Sequence, residues 1–163
     1  MDLEISVDGN PDPVDSEIYM GINETAMLNI YTPTGCVVGD DVYFALVVDT
    51  DYGAISGGVL TFDAPADSWI FGEDAQANGM CAAPEDGIWG VIALSAVPGP
   101  PGIYIDEVLF RSMSEGDAII NLWTTQDFAN FTLEDSVVIH VPEPMTLSLL
   151  GLGGLGLLRR RRA

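Results

Sequence analysis

Apolar and polar residues alternate with a period of two along most of the first 141 positions. Leu3-Glu4-Ile5-Ser6-Val7 is the first such stretch and predicts a half-buried strand. It ends in the turn-forming run Asp8-Gly9-Asn10-Pro11-Asp12-Pro13. Residues 18–22 and 26–31 predict two more short strands, split by Asn23-Glu24. The clearest strand is 42–49, where Val42, Phe44, Leu46 and Val48 share one face and β-branched and aromatic residues dominate. Residues 56–62 follow the turn Asp51-Tyr52-Gly53, and are expected to pair with 42–49 as a hairpin. Their Gly57-Gly58 predicts a bulge or a close backbone approach. Residues 68–71 form a short apolar piece, 88–96 a strand, and Pro98-Gly99-Pro100-Pro101-Gly102 a stiff turn. Strands 103–110 and 118–123 are joined through 112–117, and 136–141 is the last strand. No body segment shows helical periodicity over eleven or more residues. Nine or ten short strands with Gly, Pro and Asp turns predict an all-β sandwich, with residues 1–141 as one domain.

After Val141 the pattern changes. Pro142-Glu143-Pro144 is held extended by its two prolines, which keeps Glu143 out of any helix. Met145-Thr146 and an apolar run follow, with Leu147, Leu149, Leu150, Leu152, Leu155, Leu157 and Leu158 interleaved with four glycines. Arg159-Arg160-Arg161-Arg162 and Ala163 close the sequence. The arginines are expected on the cytoplasmic side, because positive charge resists translocation. These three unlike features, in this order, resemble the PEP-CTERM sorting signal of Gram-negative bacteria. The resemblance covers about the last 23 residues and makes 142–163 a separate unit. It implies that exosortase, an integral-membrane cysteine transpeptidase, recognises the chain and cuts it near Pro142, Glu143 and Pro144. It also implies a short C-terminal hydrophobic helix and transient anchoring in the inner membrane. Met145 to Leu158 is fourteen residues, which as a helix reaches roughly 21 Å. A bilayer core needs about 30 Å, so the segment fits a temporary span better than a permanent one.

Charge narrows the body's partners. The chain has five basic and 25 acidic residues. With Glu143 and Arg159 to Arg162 set aside, 24 acids face Arg111 alone, a net charge of −23 over residues 1–141. Such a surface repels nucleic acid and anionic lipid. Hard cations are the ions it could hold. Asp49-Thr50-Asp51 places alternate oxygens like the start of a Ca²⁺ loop but lacks its distal glutamate, so Asp49 and Asp51 are the preferred residues for a Ca²⁺ site. No other cofactor is implied. Acidic doublets recur at 40–41, 73–74, 85–86, 106–107 and 134–135, where solvated turn carboxylates are the plain reading. Cys36 and Cys81 could form one disulfide in an exported domain, or be two buried thiols. The sequence opens Met1-Asp2-Leu3-Glu4, so a preceding signal peptide is expected if the chain is exported.

Catalysis has little to work with. His140 is the single histidine and lies in the last strand, so a strand residue is the expectation there rather than a base. The body is therefore read as non-enzymatic; a secreted hydrolase is the weakest alternative. Aromatic residues could stack on sugar rings, with Tyr52 and Tyr104 the expected exposed pair, although aromatics inside apolar strands are more often core. Val42 to Asp49 with Gly57-Gly58-Val59-Leu60-Thr61-Phe62-Asp63 resembles a stretch of cohesin-like domains. Val108-Leu109-Phe110, Gly116 and Ile119-Ile120-Asn121-Leu122 resemble their paired strands before the final loop. This resemblance spans about residues 40–125. It implies a nine-stranded jelly-roll related in fold to some carbohydrate-binding modules, and a polysaccharide or a surface protein as partner.

Overall fold

A computed structural model describes residues 3–7, 17–35, 42–60, 69–73, 85–92, 100–127 and 129–143. Ten strands run through them: β1 (Glu4–Val7), β2 (Glu17–Tyr19), β3 (Thr25–Thr32), β4 (Val42–Asp49), β5 (Gly53–Leu60), β6 (Trp69–Glu73), β7 (Glu85–Ile92), β8 (Gly102–Ser112), β9 (Gly116–Thr125) and β10 (Thr132–Val141). They form a four-stranded sheet, β1-β3-β8-β5, and a six-stranded sheet, β2-β10-β9-β4-β7-β6. The body is the all-β, jelly-roll-like sandwich that the alternation predicts. The C-terminal hydrophobic helix, Pro144, the leucine run, the four terminal arginines, Cys36 and Cys81 lie outside the described residues.

The alternation works because each sheet buries one face. Leu28 and Ile30 of β3 and Val108 and Phe110 of β8 meet Phe44, Leu46 and Val48 of β4, Ile120 and Leu122 of β9, and Val137, Ile139 and Val141 of β10. β4 is covered on its other face too. Ala45 and Val47 are fully buried there, beside half-buried Tyr43 and Trp123. A central strand sealed on both sides explains why 42–49 reads as a near-continuous apolar run.

Two expected pairings are corrected. β4 and β5 are not a hairpin: β5 pairs with β8 in the four-stranded sheet, while β4 lies between β9 and β7 in the other. Likewise β8 and β9 are not partners, and the 113–115 link carries the chain from one sheet to the other. Both links are corners of a sandwich. Turn residues in sequence mark a reversal, but do not say whether the returning strand joins the same sheet.

Two of the acidic doublets prove to be bulges inside strands rather than loops. In β8, Glu107 adopts φ 56°, and its N–H donates to Asp106 Oδ1 at 2.8 Å. The β3–β8 register slips between Leu28 and Ile30, and again before Tyr31. The expected glycine irregularity sits opposite this bulge. Gly57 has φ 79°, and a Cβ there would lie 2.8 Å from the Glu107 carbonyl oxygen. In β10 the register shifts between Leu133 and Asp135. Asp135 accepts from Ser136 N and, through Oδ2, from Ile5 N at 2.8 Å, tying β10 to the other sheet.

Candidate functional site

The candidate site is the end of the sandwich where β10 stops and the sorting motif begins. β10 pairs antiparallel with β9 as far as Val141 opposite Gly116. On its other side the short β2 lies parallel, pairing Ile139 with Ile18 and His140 with Tyr19. Met20 N donates to the His140 carbonyl at 3.0 Å, extending that edge by one bond. Val141 is only 2 % exposed and belongs to the core. The next two residues, Pro142 and Glu143, are exposed. Burial therefore stops at the residue before the tripeptide, with no linker between.

His140 is a strand residue, as its place in the last apolar stretch predicts. Its ring stacks on Tyr19, with centroids 4.7 Å apart and 26° between the planes. Its Nδ1 lies 2.7 Å from Asp117 Oδ1, so Nδ1 carries the proton of that bond. Nε2 is buried and has no partner among the described residues. A catalytic histidine oriented by an aspartate needs that second nitrogen to reach a nucleophile. Among the described residues it reaches none, and the arrangement clamps β2 against β10.

A strap of residues crosses the same end. Gly21 O accepts from Ser112 Oγ at 2.7 Å, Asn23 N donates to Ser112 O at 3.1 Å, and Ser112 N donates to Glu24 O at 3.1 Å. Met113 N donates to Tyr52 O at 2.8 Å. The path from Tyr19 through Glu24 to Met113 thus closes the bottom of the sandwich between the two sheets. It leaves three large apolar side chains in solvent: Tyr19 at 70 %, Met113 at 55 % and Ile22 at 37 % exposure. Glu24, Asp51, Glu115, Asp117 and Glu143, on the segments that meet at this end, are exposed carboxylates. Arg111, the body's single base, is exposed and donates to Asn23 Oδ1 at 3.1 Å. The sequence gives no sign of Tyr19, Ile22 and Met113 as a group, because they come from separate segments and meet only through the strap.

Other sequence candidates are placed as follows. Asp49 Oδ1 accepts from Asp51 N at 2.9 Å, and Tyr52 N donates to Asp49 O at 3.0 Å, so Asp49 caps a tight turn. Asp51 is exposed. No group of three or more His, Cys, Asp or Glu side chains gathers to hold a metal among the described residues. Tyr52 is half-buried against the core. Tyr104 corrects the expectation of exposure: it is 1 % exposed and donates to the Pro100 carbonyl at 2.9 Å. The β8 bulge resets the alternation, so that Tyr104 and Ile105 are both buried in succession.

At the opposite end, the β9–β10 turn frames an open polar cleft of about 290 Å³ lined by Thr124, Thr125, Gln126, Asp127, Asn130, Thr132 and Glu134. Asp127 is committed to the turn itself. Its Oδ1 accepts from Asn130 N at 2.8 Å and Ala129 N at 2.9 Å, and its Oδ2 from Asn130 Nδ2 at 2.7 Å. The Asn130 and Ala129 backbone bonds, then the Asn130 side chain, lower its pKa from 3.8 to about 2. A carboxylate with a lowered folded pKa lends stability that is complete above its unfolded value. That stability is lost as pH falls through the folded value. The turn should therefore hold its amides at pH 4 and release them only near pH 2. Amide exchange at Ala129 and Asn130 across this range checks it, and Asp127→Asn should remove the step.

With this geometry in view, the body's fold is that of a cohesin-like β-sandwich. It superposes on the solution structure of CaCohA2 from Clostridium acetobutylicum with TM-score 0.53 at 12% identity, covering 86% of this chain and 91% of that one. A type I cohesin–dockerin complex from Clostridium thermocellum, Coh-OlpA-Doc918, matches with TM-score 0.50 at 10% identity over 86% and 99% of the two chains. The C-terminal domain of the Streptococcus pyogenes antigen I/II-family protein AspA gives TM-score 0.54 at 9% identity, covering 86% of this chain and 47% of that one. At such identities the likeness is one of fold. The tail is more specific: residues 140–162 match the PEP-CTERM protein-sorting motif. No curated protein matches the chain in sequence.

Proposed function

We propose that this is an exported, non-enzymatic protein of the cell envelope or surface, delivered by its C-terminal signal. The apolar segment is parked in the inner membrane with the arginines on the cytoplasmic side. An exosortase-type transpeptidase then cuts near Pro142-Glu143-Pro144, and the acidic body is released or attached to an envelope component. One observation carries this reading. The sorting match opens at His140, and Val141 is the last buried residue among those described, so the match begins at the end of the described core. Cleavage there would cost the body nothing. Mass spectrometry of the mature protein is expected to find a chain ending near the tripeptide; a mature form still ending at Ala163 overturns the processing.

A protein-binding role suits the released body. Met27 and Leu109 are paired across β3 and β8, and each is 41 % exposed. Exposed apolar pairs on a sheet face favour a protein partner, and a cohesin of similar fold is known in complex with a dockerin. Burial of Tyr104 removes one of the two rings offered for polysaccharide stacking.

A further inference from the structure

We infer that the tail-exit end of the sandwich is a docking surface for the membrane enzyme that processes the chain. This rests on the processing reading above and concerns where that enzyme must sit. Only residues 142–144 separate the last buried residue from the apolar segment that starts at Met145. Three extended residues span at most about 10 Å. An enzyme working on this peptide beside the membrane cannot reach it without touching the folded body. The surface it meets is the strap end, where Tyr19, Ile22 and Met113 are exposed apolar side chains.

Charge selects the occupant. The rim of Glu24, Asp51, Glu115 and Asp117, against Arg111 alone, is repelled by an anionic bilayer. It suits a protein face that is apolar in the middle and basic at the edge. Tyr19 is held in place for this role by its stack on His140, which lies two residues from Pro142. β10 therefore both leads into the motif and holds Tyr19 of the docking surface.

The test follows conversion of full-length precursor to mature protein by pulse–chase in the cells that make it. Ile22→Ser with Met113→Ser alters exposed side chains and leaves the Tyr19–His140 stack intact, so the thermal midpoint should hold while processing slows at least fivefold. An eight-residue Gly/Ser insertion between Val141 and Pro142 should slow it similarly, and the serine pair should add nothing further in that background. Wild-type rates for both variants, alongside a Glu143→Ala precursor that is not cut, would overturn the docking surface alone. Unimpaired cutting of Glu143→Ala would overturn the processing reading and the surface with it. A photoreactive benzoylphenylalanine placed at Met113 names the occupant. Crosslinks to a membrane protease identified by mass spectrometry support the inference, whereas crosslinks only to phospholipid or to a second copy overturn it.

Discussion

Phe110→Ala is expected to destabilise the body by about 3–5 kcal/mol, the range for removing a fully buried aromatic ring. Phe110 is 0 % exposed and sits on β8 between Ala26 of β3 and Ile55 of β5. Its ring lies so close to Gly53 that a Cβ there would fall 2.2 Å from Phe110 Cε2. The neighbours are thus an alanine, a glycine and an isoleucine already packed in the core. None of these in-sheet neighbours carries a long flexible side chain that could refill the space left behind. Marginal domains hold only about 5–15 kcal/mol in total, and this single change uses a large part of it. Urea unfolding followed by tryptophan fluorescence should show a lower midpoint with an unchanged slope. A midpoint within experimental error of wild type would mean that the ring does not bridge the sheets.

The second large effect is expected at Gly87, where steric overlap rather than a cavity is the cause. Gly87 pairs with Val47 in the β4–β7 ladder. A Cβ at Gly87 would lie 1.9 Å from the Leu46 carbonyl oxygen, 2.8 Å from its carbon and 2.9 Å from Val47 Cα. All three are backbone atoms of the central strand, and no rotamer can relieve them. Gly87→Ala must push β7 away from β4 or twist β4 out of register. The expected loss is about 3 kcal/mol, the upper part of the range for forced overpacking. Gly21→Ala is the control, because the nearest atoms there belong to the flexible Glu24 side chain at 3.2 Å. Circular-dichroism melts should separate the two variants clearly; equal melts would show that β4 and β7 can part at little cost.

Much of this architecture was legible in the chain because alternation reports burial on one face. Val42 to Asp49, 103–110 and 136–141 all lie in strands where the pattern places them. What the pattern does not carry is which strands meet. The β4–β5 and β8–β9 turns look like hairpins in sequence, yet each passes between sheets. Bulges hide equally well: Asp106-Glu107 lies inside an expected strand and Glu134-Asp135 just before one, yet both reset the register of a strand. That reset is why Tyr104 is core rather than surface. The tail motif was fully legible, since proline, leucine and arginine runs are local signals. The exposed apolar side chains beside it were not, because Tyr19 is placed by the parallel β2–β10 pairing and Ile22 and Met113 by long-range hydrogen bonds at Ser112 and its neighbours.

The position of β10 has a consequence for the order of events in export. It lies between β2 and β9, supplies Val137, Ile139 and Val141 to the interior, and offers Asp135 to Ile5 N. On the proposed route it is also the last part of the body to emerge from the translocation channel. The two layers cannot zip shut until Val141 is outside. On that route the sandwich is completed only after its last strand has crossed, beside the membrane that still holds the tail.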